Sequence, residues 1–169
     1  MSKQLSFEEY QSSVHNMEIY LFADGVRLIE NIGGLFRLAD AMGVKKILFS
    51  ESKESYNPTK LKKISRSTSE FVPAVWEVSA ENLLGYVPEN VGIVALEYTA
   101  DSDPITAIPD DLQRGPLVLV IGSEVTGVSP TMLEEADEVV HLPMYGRNSS
   151  MNVTIVTGMA LYELLRDFK

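Results

Sequence analysis

The sequence contains no cysteine and only two histidines, His15 and His141. The absence of cysteine excludes disulfides, thiolate metal ligands and a cysteine nucleophile, and two histidines argue against a zinc site. No run of about 18 apolar residues occurs, and the N-terminal residues MSKQLSFEEY lack the basic and apolar pattern of a signal peptide. We therefore expect a cytosolic protein without a metal.

Positive charge is also scarce, since the formal net charge is −10. A protein that holds nucleic acid by bulk electrostatics needs many lysines and arginines, so this composition argues against that mode of binding. A local basic run is nevertheless formed by Lys60, Lys62, Lys63 and Arg66, whereas residues 70–111 carry only acidic charges. Such a run is most often a solvated helix face, and its alternative is an edge that contacts phosphates.

The length of 169 residues and the 45% of hydrophobic residues suit one globular domain. Short apolar runs alternate with helical segments, which predicts an α/β domain with a mostly parallel sheet and helices on both faces. We expect strands at residues 17–23, 46–50, 74–78, 91–96, 117–121 and 139–142, and a loop with one helical turn at residues 99–115. Residues 1–16 are predicted to form an N-terminal arm, and residues 17–169 the domain.

The first predicted helix has an unusual beginning. It is expected to start with Asn31 as its N-cap and to run to Met42, with Gly43 as the residue that ends it. Gly33 and Gly34 occupy its first turn, where each glycine costs about 1 kcal/mol relative to alanine. We therefore expect a ligand, another chain or a tightly packed neighbouring loop to approach the helix backbone closely.

Two glycine-containing loops follow strands that are predicted to be buried. Residues 121–130 include Gly122, Glu124 and Gly127, and residues 145–150 lead directly into a helix that begins at Val153. Unpaired N–H groups and the helix dipole at such strand ends are suited to binding a small polar ligand. The first loop lacks the residue patterns of serine hydrolases, dinucleotide-binding proteins and P-loop proteins.

Three stretches taken together resemble the SpoU-type (TrmH-like) RNA ribose 2′-O-methyltransferases of the SPOUT class. Residues 31–37 (NIGGLFR) resemble the first family motif, residues 121–127 (IGSEVTG) the second, and residues 142–146 (LPMYG) with 150–154 (SMNVT) the third. The chain departs from the residues that the family usually has at Ser123, Val125, Met151 and Thr154. The resemblance covers the chain from about Met17 to its end.

This resemblance implies a fold and an activity. The fold is an α/β-knot whose C-terminal part forms a deep trefoil knot, and the activity is methyl transfer from S-adenosylmethionine to a ribose 2′-hydroxyl of tRNA or rRNA. The residues implied to line the donor pocket are Leu96, Gly122, Leu142, Gly146, Ser150 and Met151. The residues implied to be catalytic are Arg37, Asn31, Glu124 and Asn152.

The resemblance also implies roles for the four catalytic candidates and a homodimer with shared active sites. Arg37 would reach the donor site of the other subunit. Such a close contact between subunits would explain why Gly33 and Gly34 occupy the first turn of the helix. Because a guanidinium stays protonated, we expect Arg37 to clamp a phosphate and stabilise the developing alkoxide rather than act as a base. Asn31 would orient Arg37 or cap its helix, Glu124 would brace its loop, and Asn152 would hold the closing turn over the donor.

Several alternatives to this interpretation are open at the level of sequence. The chain is acidic and has little beyond the catalytic core, so it is also compatible with a non-catalytic knotted homologue that binds RNA or protein. A separate alternative is that the carboxylate of Glu124 and the amide of Asn152 only stabilise their loops and have no chemical role. A more general alternative is a domain that binds some other small ligand, and even within the family the substrate RNA is open.

Overall fold

A parallel sheet organises the computed structural model, which describes residues 4, 9, 11, 13, 15–148 and 150–166. Within these residues the sheet has seven strands in the order β3-β2-β1-β6-β4-β7-β5, and every neighbouring pair is parallel. The strands are β1 (Ile19–Asp24), β2 (Lys46–Phe49), β3 (Ala74–Val75), β4 (Gly92–Leu96), β5 (Asp103–Pro104), β6 (Leu117–Gly122) and β7 (Glu138–His141). The predicted α/β class and parallel sheet are confirmed.

The connections between strands contain short helices. The α-helices are α1 (Ile29–Ala41), α2 (Pro58–Ile64), α3 (Asp110–Arg114), α4 (Pro130–Glu135) and α5 (Val153–Leu164). Shorter 3₁₀ segments lie at Lys53–Ser55, Thr68–Glu70, Ala80–Tyr86 and Ile105–Ala107. The helices α2 and α4 each begin with a proline behind a capping side chain, Asn57 and Ser129, which supplies a fixed φ and satisfies a free N–H group. None of the helices described is long and apolar enough to cross a membrane.

Side chains of the central strand β1 alternate between two hydrophobic cores. Ile19, Leu21 and Ala23 belong to one core together with apolar residues of α1, α2 and α5. Tyr20 and Phe22 point to the other face, where they share a core with residues of α4 and of the 3₁₀ segment Ala80–Tyr86. Because both sets of alternating side chains are apolar, both faces of the sheet are covered by helices, as predicted.

The carboxyl ends of three neighbouring strands meet at one edge of the sheet. Leu96 at the end of β4 is in register with Ile121 of β6 on one side and with Val140 of β7 on the other. Because the strands are parallel, the loops that follow β4, β6 and β7 leave the sheet side by side. The second and third sequence motifs are therefore neighbours in space.

The predicted beginning of the first helix is wrong, whereas its end is confirmed. The N-cap residue is Leu28, which makes no side-chain capping bond, and Asn31 is a buried residue inside the first turn. Met42 is the C-cap, and Gly43 follows with a φ of +67°. An N-cap at Asn31 would leave Ile29 and Glu30 outside the helix, and the backbone bonds from Asn31 and Ile32 to Leu28 show that they are inside it.

Two further segments differ from the predictions. The third strand ends at Val75 instead of residue 78, because Glu77 has a φ of +60°, which an extended strand does not allow. Residues 99–115, predicted to be a loop with one helical turn, contain β5 and a 3₁₀ segment in addition to the short helix α3. Most of the predicted arm at residues 1–16 lies outside the described residues, and the knotted threading of the chain stays a prediction.

The two glycines in α1 allow neighbouring elements of the same chain to approach the helix. A Cβ atom at Gly33 would lie 2.5 Å from Cγ2 of Ile64 in α2, and one at Gly34 would lie 2.7 Å from Cγ2 of Thr154 in α5. The predicted close approach is therefore confirmed. Its source is tight packing within one chain, so a partner subunit is not needed to explain these glycines.

We expect Gly33→Ala to lower the free energy of unfolding. Overpacking against α2 costs about 1–3 kcal/mol, which exceeds the gain of about 1 kcal/mol in helix propensity. The matched control is Gly85→Ala, because a Cβ atom there meets nothing within 4 Å. Urea denaturation of both variants measures the difference. A Gly33→Ala protein as stable as the control would contradict the packing described here.

Candidate active site

Side-chain hydrogen bonds join all three sequence motifs at the carboxyl edge of the sheet. The Asn31 amide nitrogen donates to the carboxylate of Glu124, and the Asn152 amide nitrogen donates to the amide oxygen of Asn31 at 2.9 Å. The oxygen of Asn152 in turn accepts bonds from the backbone N–H of Thr154, at 3.0 Å, and from the Thr154 hydroxyl. The helix α1, the β6–α4 loop and the start of α5 are therefore tied together.

Asn31 is the centre of this group of hydrogen bonds, and its side chain is suited to that position. Only 5% of the residue is exposed, so both polar atoms of the amide need partners. An amide can donate to a carboxylate with its nitrogen while it accepts from a second amide with its oxygen. Serine or aspartate, which are equally good helix caps, cannot bridge the same pair of neighbours in this way.

A cavity of about 700 Å³ lies beside this group, between the loops that follow β4, β6 and β7. Five of the residues that were predicted to line the donor pocket do line this cavity, namely Leu96, Gly122, Leu142, Ser150 and Met151. Gly146 was also predicted to line it and does not: it is exposed, and a Cβ atom there would meet nothing within 4 Å. Met144 and Asn148, on either side of it in the same loop, do line the cavity.

The β6–α4 loop is closed by a tight turn that depends on two glycines. Ser123 and Gly127 pair through two backbone hydrogen bonds of 3.1 and 3.0 Å. A Cβ atom at Gly122 would lie 2.1 Å from the carbonyl carbon of Gly127, and Gly127 itself has a φ of +69°. Side chains at either position would open the turn, so the glycines fix the wall of the cavity.

Glu97 is a cavity residue that the sequence did not reveal. Its carboxylate accepts the backbone N–H of Val128 at 2.8 Å and the N–H of Tyr98 at 3.0 Å. A Cβ atom at Gly127 would lie 2.3 Å from the same carboxylate. Glu97 therefore fastens the end of β4 to the β6–α4 loop, and it follows a buried strand without any motif that would have predicted this contact.

Two aromatic residues on the cavity wall were also missed by the sequence analysis. The Tyr98 ring lies 4.5 Å, between centroids, from the ring of His141. Nδ1 of His141 is 2.9 Å from the hydroxyl oxygen of Ser102, which fixes the orientation of the imidazole. Tyr98 follows β4 and His141 ends β7, so their contact depends on the strand order and is not visible in the sequence.

The charges around the cavity favour a neutral or cationic ligand. The residues that line it include the carboxylates of Glu97 and Glu124, and none of them is a lysine or an arginine. A ligand with several phosphate groups would lack a positive partner here. In the part of the chain that the structure describes, no cluster of histidine or carboxylate groups is arranged to hold a metal ion.

Arg37 lies apart from the other three predicted catalytic residues. It is exposed on α1, it does not line the cavity of its own chain, and no described residue forms an ion pair with it. The amide of Asn31 is engaged by Glu124 and Asn152, and no hydrogen bond runs from it to Arg37. The structure thus brings Asn31, Glu124 and Asn152 together and leaves Arg37 outside.

A second cavity, of about 450 Å³, lies at the ends of β1, β2 and β3. Its wall includes Asp24, Glu51, Glu77 and Glu81 together with several serines. No residue of the three motif stretches lines it. We therefore take the larger cavity, which the motifs surround, as the candidate site.

We expect a double-mutant cycle to measure a favourable coupling between Asn31 and Glu124. Replacement of Asn31 by alanine leaves a carboxylate without its amide donor, and a hydrogen bond to a partly exposed charged group is worth about 1 kcal/mol. The comparison pair is Glu30 of α1 and Lys60 of α2, whose ion pair is exposed on both sides. A coupling for Asn31 and Glu124 no larger than that of the exposed pair would contradict the site described.

Comparison with known proteins connects this site to one family. The SpoU rRNA Methylase family model matches residues 18–162. The chain is 32% identical over 147 residues to the 23S rRNA (guanosine-2′-O-)-methyltransferase RlmB of Yersinia pestis, and the match covers 86% of this chain and 58% of that protein. It is 31% identical over 159 residues to RlmB of Pseudomonas aeruginosa, with coverage of 94% and 63%. The chain thus spans about three fifths of these curated relatives.

Solved structures give the same result. The TrmH/SpoU tRNA modifying enzyme of A. aeolicus superimposes with a TM-score of 0.77 at 30% identity, covering 90% of this chain and 76% of that one. The AdoMet-bound rRNA methyltransferase of Sinorhizobium meliloti superimposes with a TM-score of 0.77 at 26% identity, covering 94% and 62%. The family model includes all three motifs that meet at the cavity. The chain therefore belongs to the SpoU rRNA methylase family.

Proposed function

We propose that this chain is an S-adenosylmethionine-dependent RNA methyltransferase that methylates a ribose 2′-hydroxyl of tRNA or rRNA. The observation that carries the proposal is the hydrogen-bonded junction of the three motifs beside one cavity. Relatives whose matches cover 86% and 94% of this chain are named as guanosine-2′-O-methyltransferases of rRNA, and one structural neighbour is an AdoMet-bound enzyme. The methyltransferase domain corresponds to residues 17–169.

The cavity is suited to the methyl donor in both charge and polarity. The donor would supply a methyl group on a positively charged sulfur, and two carboxylates, Glu97 and Glu124, lie on the cavity wall. The residues assigned to donor binding are Leu96, Gly122, Leu142, Ser150 and Met151. Three of these have apolar side chains for the adenosine moiety, and Gly122 belongs to the tight turn that forms the wall beside it.

The catalytic roles follow from what each side chain can do. Asn31, Glu124 and Asn152 position the loops around the donor, because their polar groups are used in bonds to one another. Arg37 binds the phosphate next to the target ribose and stabilises the alkoxide that develops at the 2′-oxygen. The hydroxyl proton passes to a phosphate oxygen or to water, since the guanidinium is already protonated.

A homodimer with shared active sites explains where Arg37 acts. Three apolar side chains on one face of α5, Ile155, Met159 and Tyr162, are between 49% and 71% exposed. Such a stripe is typical of a helix that packs against a partner. Arg37 lies one turn beyond Gly34, which contacts Thr154 at the start of α5, so a partner docked near this helix pair would receive the guanidinium. We assign the dimer to the cytosol, where tRNA and rRNA are found.

The activity is tested by incubating the protein and labelled S-adenosylmethionine with total RNA from cells that lack this protein. The expected result is label in RNA, with the modified position resolved by mapping ribose methylation. Donor binding without transfer to any RNA would overturn the enzymatic proposal and favour a non-catalytic binding module.

We expect Arg37→Ala to lower the transfer rate by at least about 100-fold while the affinity for the donor stays unchanged. Arg37 does not line the donor cavity of its own chain, so its loss leaves donor binding intact. Steady-state kinetics and calorimetric titration of the donor measure the two effects. Equal losses in both would show that the variant damages the fold instead.

Sharing of the active site predicts that two inactive variants complement each other. We mix Arg37→Ala with Ser150→Phe, in which the larger side chain fills the donor cavity. In a mixed dimer, the intact arginine of the second variant would reach the intact donor site of the first, so activity returns. If both parts of the site came from one chain, every dimer would remain inactive.

Ultracentrifugation of Met159→Lys, which places a charge in the α5 stripe, measures whether that face forms the dimer.

A further inference from the structure

Two exposed aromatic side chains on the loops around the cavity have no role in the function proposed above. Tyr98 lines the cavity from the β4–β5 loop and is 61% exposed. Tyr145 lies on the β7–α5 loop, which also borders the cavity, and is 97% exposed. Neither ring is needed for the hydrophobic core. Large exposed apolar groups beside a functional cavity indicate an interaction surface.

The ring of Tyr98 is held in place from one side. It packs against His141 with a centroid distance of 4.5 Å and an interplanar angle of 46°. His141 is fixed by Ser102, whose hydroxyl also bonds the backbone of Thr99 at 3.0 Å. One face of Tyr98 is therefore supported, and much of the remaining ring is open to solvent. A supported ring loses little conformational entropy when a planar ligand stacks on it.

The charge of the chain limits how it can bind RNA. The formal net charge is −10, and the cavity carries the carboxylates of Glu97 and Glu124. Within the basic run of α2, Lys60 and Lys62 form ion pairs with Glu30 and Glu70. Contacts to phosphates alone therefore provide little affinity. Base stacking on aromatic rings is largely independent of protein charge.

We propose that Tyr98, supported by His141, stacks on an unpaired base of the RNA substrate, and that Tyr145 contacts a neighbouring nucleotide. The inference rests on the proposed function, because methyl transfer requires a target ribose at the donor cavity and so brings adjacent bases to its rim. Bases inside a continuous duplex are not available for such stacking. The substrate class is therefore RNA whose target nucleotide lies in a loop or another single-stranded segment.

The test measures binding of a fluorescent, unstructured oligoribonucleotide to the full chain and its variants. Tyr98→Ala is expected to weaken binding roughly tenfold, whereas Tyr98→Phe and Tyr98→Trp keep the ring and bind like the wild type. Tyr145→Ala is expected to weaken binding several-fold. The matched control is Phe71→Ala. Phe71 is also 61% exposed, but it precedes β3, which is the outermost strand on the side of the sheet away from β4 and β7. Calorimetric titration of S-adenosylmethionine is expected to give the wild-type Kd for Tyr145→Ala and Phe71→Ala, whose side chains do not line the donor cavity, and it measures separately whether the Tyr98 ring also contacts the donor.

Salt dependence and strand preference provide two independent measurements. The affinity for the oligoribonucleotide should fall only slightly as the salt concentration rises, because few counterions are released. The same sequence annealed to its complement should bind more weakly than the single strand. Equal binding of single strand and duplex would overturn the proposal.

Other results would also overturn this inference or separate it from the proposed function. Unchanged RNA binding in Tyr98→Ala overturns it, and a loss of donor affinity without a change in RNA binding assigns the ring to the donor instead. Conversion of the Tyr145→Ala protein to a monomer would assign that side chain to a second copy of the chain. If the wild type binds the oligoribonucleotide through Tyr98 but transfers no methyl group to any RNA, the proposed function fails and the stacking surface stands.

Discussion

The amide of Asn31 is the contact on which the arrangement of this site depends. Its nitrogen bonds the carboxylate of Glu124, and its oxygen accepts a bond from Asn152. Glu124 and Asn152 lie 93 and 121 positions from Asn31 in the sequence, so one buried side chain joins distant parts of the chain. Because Asn31 is buried, an unpaired amide would cost about 1–3 kcal/mol, which favours the single arrangement in which both partners are present.

Other features of the fold bring the same three stretches together. Parallel pairing of β4 with β6 and β7 places their loops side by side, and the close contacts at Gly33 and Gly34 hold α1 against α2 and α5. The tight turn at Gly122 and Gly127, fastened by Glu97, then forms one wall of the cavity. Backbone geometry, helix packing and side-chain hydrogen bonds all produce one cleft, and its described wall carries two carboxylates and no lysine or arginine. This combination is what suits the site to a cationic methyl donor.

Much of the fold could be predicted from the sequence, because buried parallel strands and helix caps depend on local patterns. The strands at β1, β4 and β6 and the αL residue Gly43 are examples. Asn31 was misplaced because asparagine before an apolar stripe is the usual N-cap pattern, and only the tertiary partners show that its amide is used elsewhere. No local motif marks Glu97, Tyr98 and His141, because their contacts depend on the order of the strands in the sheet. Gly146 was carried over from a motif and does not line the cavity, although other residues of its loop do.

We propose that the three motif stretches form a single donor site whose shape depends on Asn31. Calorimetric titration of S-adenosylmethionine into the wild type and into Asn31→Ala under native conditions tests this proposal. We expect one binding event per chain in the wild type, and weaker binding in a variant that is still folded by circular dichroism. No binding to the wild type, or equal affinity in both proteins, would contradict it.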